Sequence, residues 1–129
     1  HVNKLLINSV SCVNAAAQFA GIAALDGPDD SIDEMMEKFT LRRKLIHEGL
    51  NSLPGVECSL PGGAFYAFFA VDGMSDSVAF SQRLIDEVGV GLAPGLAFSE
   101  DGEGWMRLCF AADTQTVSAA MDRLEPMLG

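Results

Sequence analysis

The chain has 129 residues, enough to bury a core of its own, with 49% hydrophobic and 20% charged residues. Its formal net charge of −10 at pH 7 repels a phosphate backbone, which excludes nucleic acid as a natural partner. No apolar run approaches a spanning helix, no basic amphipathic stretch suits an anionic membrane surface, and no signal-peptide pattern opens the sequence. The expected setting is cytoplasmic, with no membrane.

The mean hydropathy of +0.23 is high for a free-standing domain. Two sources remain open: a large alanine content, or apolar surface that belongs against another domain or subunit. The cysteines Cys12, Cys58 and Cys109 are odd in number, widely spaced and set in apolar surroundings. They are expected as small buried thiols in a reducing compartment. Together with His1 and His47 they form no ligand spacing of a familiar metal site, so no metal is expected, and His1 is assigned no role.

In chain order, Ser11–Leu25 (SCVNAAAQFAGIAAL) reads as a helix. Its nearly all-round apolarity predicts burial on most sides, and Asp26-Gly27-Pro28 stops it. Ser31-Ile32-Asp33-Glu34 fits a capping box opening a second helix. Met35, Phe39, Arg42, Ile46 and Leu50 follow at helical spacing, and Leu53-Pro54-Gly55 closes it. Val56–Leu60 and Ala64–Val71 (AFYAFFAV) read as strands joined by the turn Pro61-Gly62-Gly63, a hairpin. Ser75-Asp76 caps a third helix with Val78, Phe80, Leu84, Ile85 and Val88 as its apolar stripe, stopped by Gly89.

Val90–Ala93 is a brief strand ended by Pro94-Gly95, and Ser99–Gly104 is an acidic loop. Trp105–Ala111 (WMRLCFA) is the last strand. Asp113 or Thr114 caps a final helix with Val117, Ala120, Met121, Leu124 and Leu128 on one face. The expected fold is α+β, one domain over 1–129, with a small sheet of about four strands covered by helices on one face.

Arg107 is the residue best placed for chemistry. A guanidinium on a rigid strand can grip a carboxylate through two parallel hydrogen bonds. Alternation places Arg107 with Trp105 and Cys109 on one face, and Met106, Leu108 and Phe110 on the other. An arginine on a solvated sheet face, paired with Glu103 or Asp101, is the alternative. No nucleophile–histidine pattern and no phosphate-binding glycine loop accompanies it.

Four segments in order then resemble the C-terminal small domain of the fold-type-I, pyridoxal-phosphate-dependent aminotransferases of the aspartate aminotransferase superfamily. They are Asn8–Leu25 with Gly27-Pro28; Phe39–Leu50, containing Arg42-Arg43, leading into Leu53-Pro54-Gly55-Val56; Pro61–Phe68 (PGGAFYAF); and Glu87–Phe98 (EVGVGLAPGLAF), continuing through Gly102-Glu103-Gly104 to Arg107–Ala111. The resemblance implies that Arg107 binds the α-carboxylate of the substrate. It places Phe65 beside the substrate pocket, with a role in the sheet core as the alternative. It brings Ser9 and Ser11 toward the cofactor phosphate of a neighbouring subunit, with helix capping as the alternative for Ser11.

The resemblance further implies an interdomain or interface region over 1–28 and a small-domain body over 29–129. The cofactor lysine and the aspartate facing the pyridine nitrogen belong to a large domain ahead of this segment. Lys4, Lys38 and Lys44 lack the family's surroundings, so this chain alone is expected to be inactive, to contain no catalytic residue and to bind no cofactor. Implied partners are that large domain, a second copy in a homodimer, and a small amino acid and 2-oxo acid. A lyase or decarboxylase of the same fold, and a non-catalytic dimerisation or binding module, are the rival readings.

Overall fold

The aromatic run after the Pro61-Gly62-Gly63 turn becomes the central strand of the sheet. In the computed structural model, which describes all residues His1–Gly129, the strands are β1 (Val56–Cys58), β2 (Tyr66–Val71), β3 (Ala93–Pro94) and β4 (Trp105–Cys109), ordered β1-β2-β4-β3 and antiparallel throughout. β1 and β2 form the expected hairpin, with Val56 opposite Val71 and Cys58 opposite Phe69. Alternation sends Ala67 and Phe69 of β2 and Met106 and Leu108 of β4 into the core.

The chain divides into two units, His1–Asp33 and Glu34–Gly129. Helix α3 (Asp30–Asn51), which enters the second unit at Glu34, supplies Ile46 and Leu50 to its core, and helix α5 (Thr114–Leu128) supplies Val117, Leu124 and Leu128. With α4 (Ser77–Arg83) these helices cover the apolar face of the sheet, giving the α+β fold expected from the sequence. Asp113 caps α5, its Oδ1 accepting from the Thr116 amide at 2.9 Å.

The first unit contains α1 (Val2–Ser9) and α2 (Ala15–Asp26), neither with a buried residue. α1 is absent from the sequence reading, although Val2, Leu5, Leu6 and Ser9 follow helical spacing. α2 begins four residues later than expected because Asn14 is the cap, its Oδ1 accepting from the Ala17 amide at 2.9 Å. Ser11 lies outside the helix with φ 57°. The expected burial of this apolar helix is not met within this chain: Phe19 and Leu25 are 73% and 87% exposed. No helix is long and apolar enough to cross a membrane.

Other expectations are corrected. The capping box does not form: the Asp29 carbonyl accepts from the Ile32 and Asp33 amides, so the helix begins at Asp30 and Ser31 sits inside its first turn. Met35 is exposed, and α3 packs only from Phe39 onward. The third helix presents Ser77, Ser81 and Leu84 to the interior, whereas Val78 and Ile85 are exposed. Its last turn, Leu84–Val88, widens to a π-helix before Gly89 (φ 68°) ends it, and the buried Ser81 hydroxyl donates to the Leu92 carbonyl at 2.6 Å. Only Cys58 is a buried thiol; Cys12 and Cys109 are exposed, Cys109 because alternation turns it outward from β4.

The loop between β3 and β4 turns twice as short 3-10 helices, Gly95–Ala97 and Glu100–Gly102. A Cβ on Gly102 would run into the Gly95 carbonyl, and one on Gly95 would meet the Trp105 carbonyl at 2.7 Å. Glu103 closes this loop, its Oε1 accepting from the Gly104 amide at 3.0 Å and the Ser77 amide at 2.7 Å.

Two outcomes are expected. Gly102→Ala should cost about 2–3 kcal/mol, because both clashing partners are backbone. Gly62→Ala, where a Cβ meets nothing within 4 Å, should change stability by less than about 0.5 kcal/mol; thermal unfolding of both variants checks the contrast. Second, the Gly104 and Ser77 amides lower the Glu103 pKa below the usual glutamate value. A carboxyl depressed on folding stabilises above its unfolded pKa and loses that contribution as pH falls through the folded one. Glu103→Gln should therefore lower the midpoint temperature at pH 7 and converge with the parent chain in strong acid.

Candidate functional site

β4 puts Arg107 on the open face of the sheet, opposite Phe68 of β2 on one side and Ala93 of β3 on the other. Its Cζ stands 4.2 Å from the centre of the Tyr66 ring and 4.3 Å from that of Phe98. Tyr66 reaches it diagonally across the β2–β4 ladder, since Tyr66 pairs with Cys109. Phe98 comes from the end of the first 3-10 turn, held there by its amide donating to the Gly95 carbonyl at 2.9 Å.

The ion pair expected under the alternative reading is not present. All the ion pairs are i,i+4 helix pairs, Lys38–Glu34, Lys44–Glu48 and Arg83–Glu87. Arg107 belongs to none of them, and Glu103 is engaged by two backbone amides instead. Arg107 is half-buried, with two aromatic rings beside its guanidinium and no carboxylate of the chain in ion-pair contact with it.

Phe65 is 38% exposed and joins this cluster through Tyr66, their ring centres 4.6 Å apart. It also stacks on Phe39 at 6.1 Å and lines a cavity of about 240 Å3 with Met36, Arg43 and Phe110. Arg43 donates to the Pro61 carbonyl at 3.1 Å across that cavity's rim. Arg107 and Phe65 are thus linked by one intervening ring, while Ser9 and Ser11 belong to the other unit, both exposed, on either side of the turn between α1 and α2.

Sequence reasoning passed over Tyr66 and Phe98. Tyr66 could have been found by alternation, which puts Tyr66 and Phe68 on the outward face of a strand where polar residues are usual. Phe98 could not, because its place depends on the turn that carries it. No group of three or more His, Cys, Asp or Glu side chains is arranged to hold a metal. Lys4, Lys38 and Lys44 are all exposed, the last two beside glutamates one helical turn away; none occupies the apolar or cationic setting that activates a lysine for covalent work.

Residues 4–124 match the family "Aminotransferase class I and II". An aspartate aminotransferase of Thermotoga maritima is 39% identical over 127 residues, covering 98% of this chain and 32% of that protein. An LL-diaminopimelate aminotransferase of Halothermothrix orenii is 33% identical over 124 residues, covering 96% and 32%. Among solved structures, an alanine aminotransferase from Pyrococcus furiosus superposes with a TM-score of 0.88 at 34% identity, covering 95% of this chain and 32% of its own. The chain spans about a third of the length of the relatives it matches. The match along nearly its whole length, in sequence and in fold, shows that this chain belongs to the class I and II aminotransferase family.

Proposed function

We propose that this chain is the C-terminal small domain of a pyridoxal-phosphate-dependent aminotransferase, and that Arg107 binds the α-carboxylate of the amino acid and the 2-oxo acid. The observation that carries this reading is the state of Arg107: a strand-mounted guanidinium without an acidic partner, in a chain whose formal charge is −10. Acidic side chains are close in sequence at Glu100, Asp101 and Glu103. A structural arginine would be expected to take one of them.

A pyridoxal cofactor, held by a large domain ahead of this segment, would supply the electron sink and take up the amino group. The groups present here suit support and not covalent attachment, because the three lysines are exposed helix-surface residues. Ser9 and Ser11 offer hydroxyls to a phosphate approaching from a second subunit. Phe65 would border the substrate on its apolar side. Residues 29–129 would close over the substrate and exclude water, while residues 1–28, whose apolar side chains are open, would pack against the large domain and a second copy in a homodimer.

Arg107→Lys keeps the charge and loses the planar fork. In the full-length protein it should weaken amino-acid binding by roughly 1.5–3 kcal/mol, the worth of a hydrogen bond to a charged group, and leave the midpoint temperature nearly unchanged. Steady-state kinetics and thermal unfolding of the one variant decide the matter, since lost stability with intact kinetics would remove Arg107 from the site. The 129-residue chain, mixed with pyridoxal phosphate and reduced with borohydride, should show no stoichiometric adduct by mass spectrometry. A single modified lysine would overturn the small-domain reading.

A further inference from the structure

The geometry points to Tyr66 and Phe98 as positioning residues that hold the Arg107 guanidinium ready, its N–H edge free, for an incoming carboxylate. This rests on the reading of Arg107 as the carboxylate-binding group and adds what keeps it in place.

An unrestrained arginine side chain has large rotamer freedom, and ordering it on binding subtracts from affinity. Here the two rings lie 4.2 and 4.3 Å from Cζ, within the range of a cation–π contact. Such a contact occupies no N–H donor in a hydrogen bond, so the donors remain to make the paired bonds a carboxylate accepts. The rings do what an ion pair would do for orientation without occupying those donors.

Both rings are themselves braced. Tyr66 packs against Phe65 at 4.6 Å, and Phe65 stacks on Phe39, which lies against the core. Phe98 meets Phe68 edge-on at 6.2 Å, and Phe68 stacks nearly flat on Trp105 at 5.2 Å and 9°. The backbone under Phe98 is fixed by the Gly95–Gly102 approach, which no side chain larger than hydrogen permits. Tyr66, Phe68, Trp105 and Phe98 occupy the open side of the sheet, where the fold itself needs no apolar layer. Their arrangement around a single cation, with no acidic group among them, is what a positioning role requires.

The test follows the arginine Nε–Hε signals of the 129-residue chain by nitrogen-15 NMR, with acetate as the probe and Arg107 assigned by its loss in Arg107→Lys. The Arg107 proton should be displaced by the ring currents relative to Arg123, and acetate should perturb Arg107 more than Arg123. Tyr66→Leu and Phe98→Leu should each reduce the displacement by the share of the lost ring, and each should weaken acetate binding about three- to tenfold. Tyr66→Phe and Phe98→Tyr, which keep the rings, should restore most of both. Since Tyr66 and Phe98 face outward, core methyl signals should stay in place in every variant. An Arg107 signal without ring displacement in the parent chain overturns the proposal. Ring displacement with acetate no more effective on Arg107 than on Arg123 overturns the carboxylate role itself. Acetate bound at Arg107 equally well in the leucine variants overturns the positioning role alone and leaves the carboxylate reading standing.

Discussion

The pairing of β2 with β4 is the constraint from which the rest of the second unit follows. Five residue pairs in register, from Tyr66–Cys109 to Ala70–Trp105, fix which side chains are core and which are open. Phe69, Met106 and Leu108 go inward to meet Ile46, Leu50 and Leu124, and all are buried. The same pairing turns Arg107 outward beside Tyr66 and Phe68. A slip of one residue would bury the guanidinium and expose Met106, so the hydrophobic effect that builds the core also sets the register that presents the arginine.

The loop between β3 and β4 adds the second ring beside the arginine. It must bring Phe98 over a strand that lies next to its own, and it does so by packing backbone on backbone at Gly95 and Gly102. Glu103 then ties the loop to the start of α4 through the Ser77 amide. In a loop with three acidic residues, the carboxylate nearest the arginine in sequence is engaged by backbone amides. The guanidinium therefore keeps its hydrogen-bonding capacity, and the region's charge is stabilised locally by dipoles.

Much of this was legible in the sequence because it rests on period and punctuation. The alternation in WMRLCFA gave the two faces of β4, although Cys109 was expected as a buried thiol and is exposed, and the Gly89 stop and the Asp113 cap are local chemistry. The errors came where tertiary context outvoted a local signal. The Ser31 capping box lost to a helix already begun at Asp30. The stripe of the third helix was right at Phe80, Leu84 and Val88 and wrong at Val78 and Ile85, which are exposed, Ile85 within the turn that widens. Cys12 and the apolar α2 were read as buried because apolar composition implies a cover, yet these residues have none within this chain. The ring cluster around Arg107 was half legible: alternation reaches Tyr66, while Phe98 depends on a close approach of two glycines that no periodicity encodes.

Family membership rests on the match of sequence and fold, whereas the carboxylate-binding role proposed for Arg107 is tested most directly by a crystal structure of the full-length protein with a bound amino acid or 2-oxo acid. The expected result is a substrate carboxylate with both oxygens on the Arg107 guanidinium, and Tyr66 and Phe98 still beside it. A substrate carboxylate held elsewhere, with Arg107 paired to an acidic side chain of the protein, would contradict it.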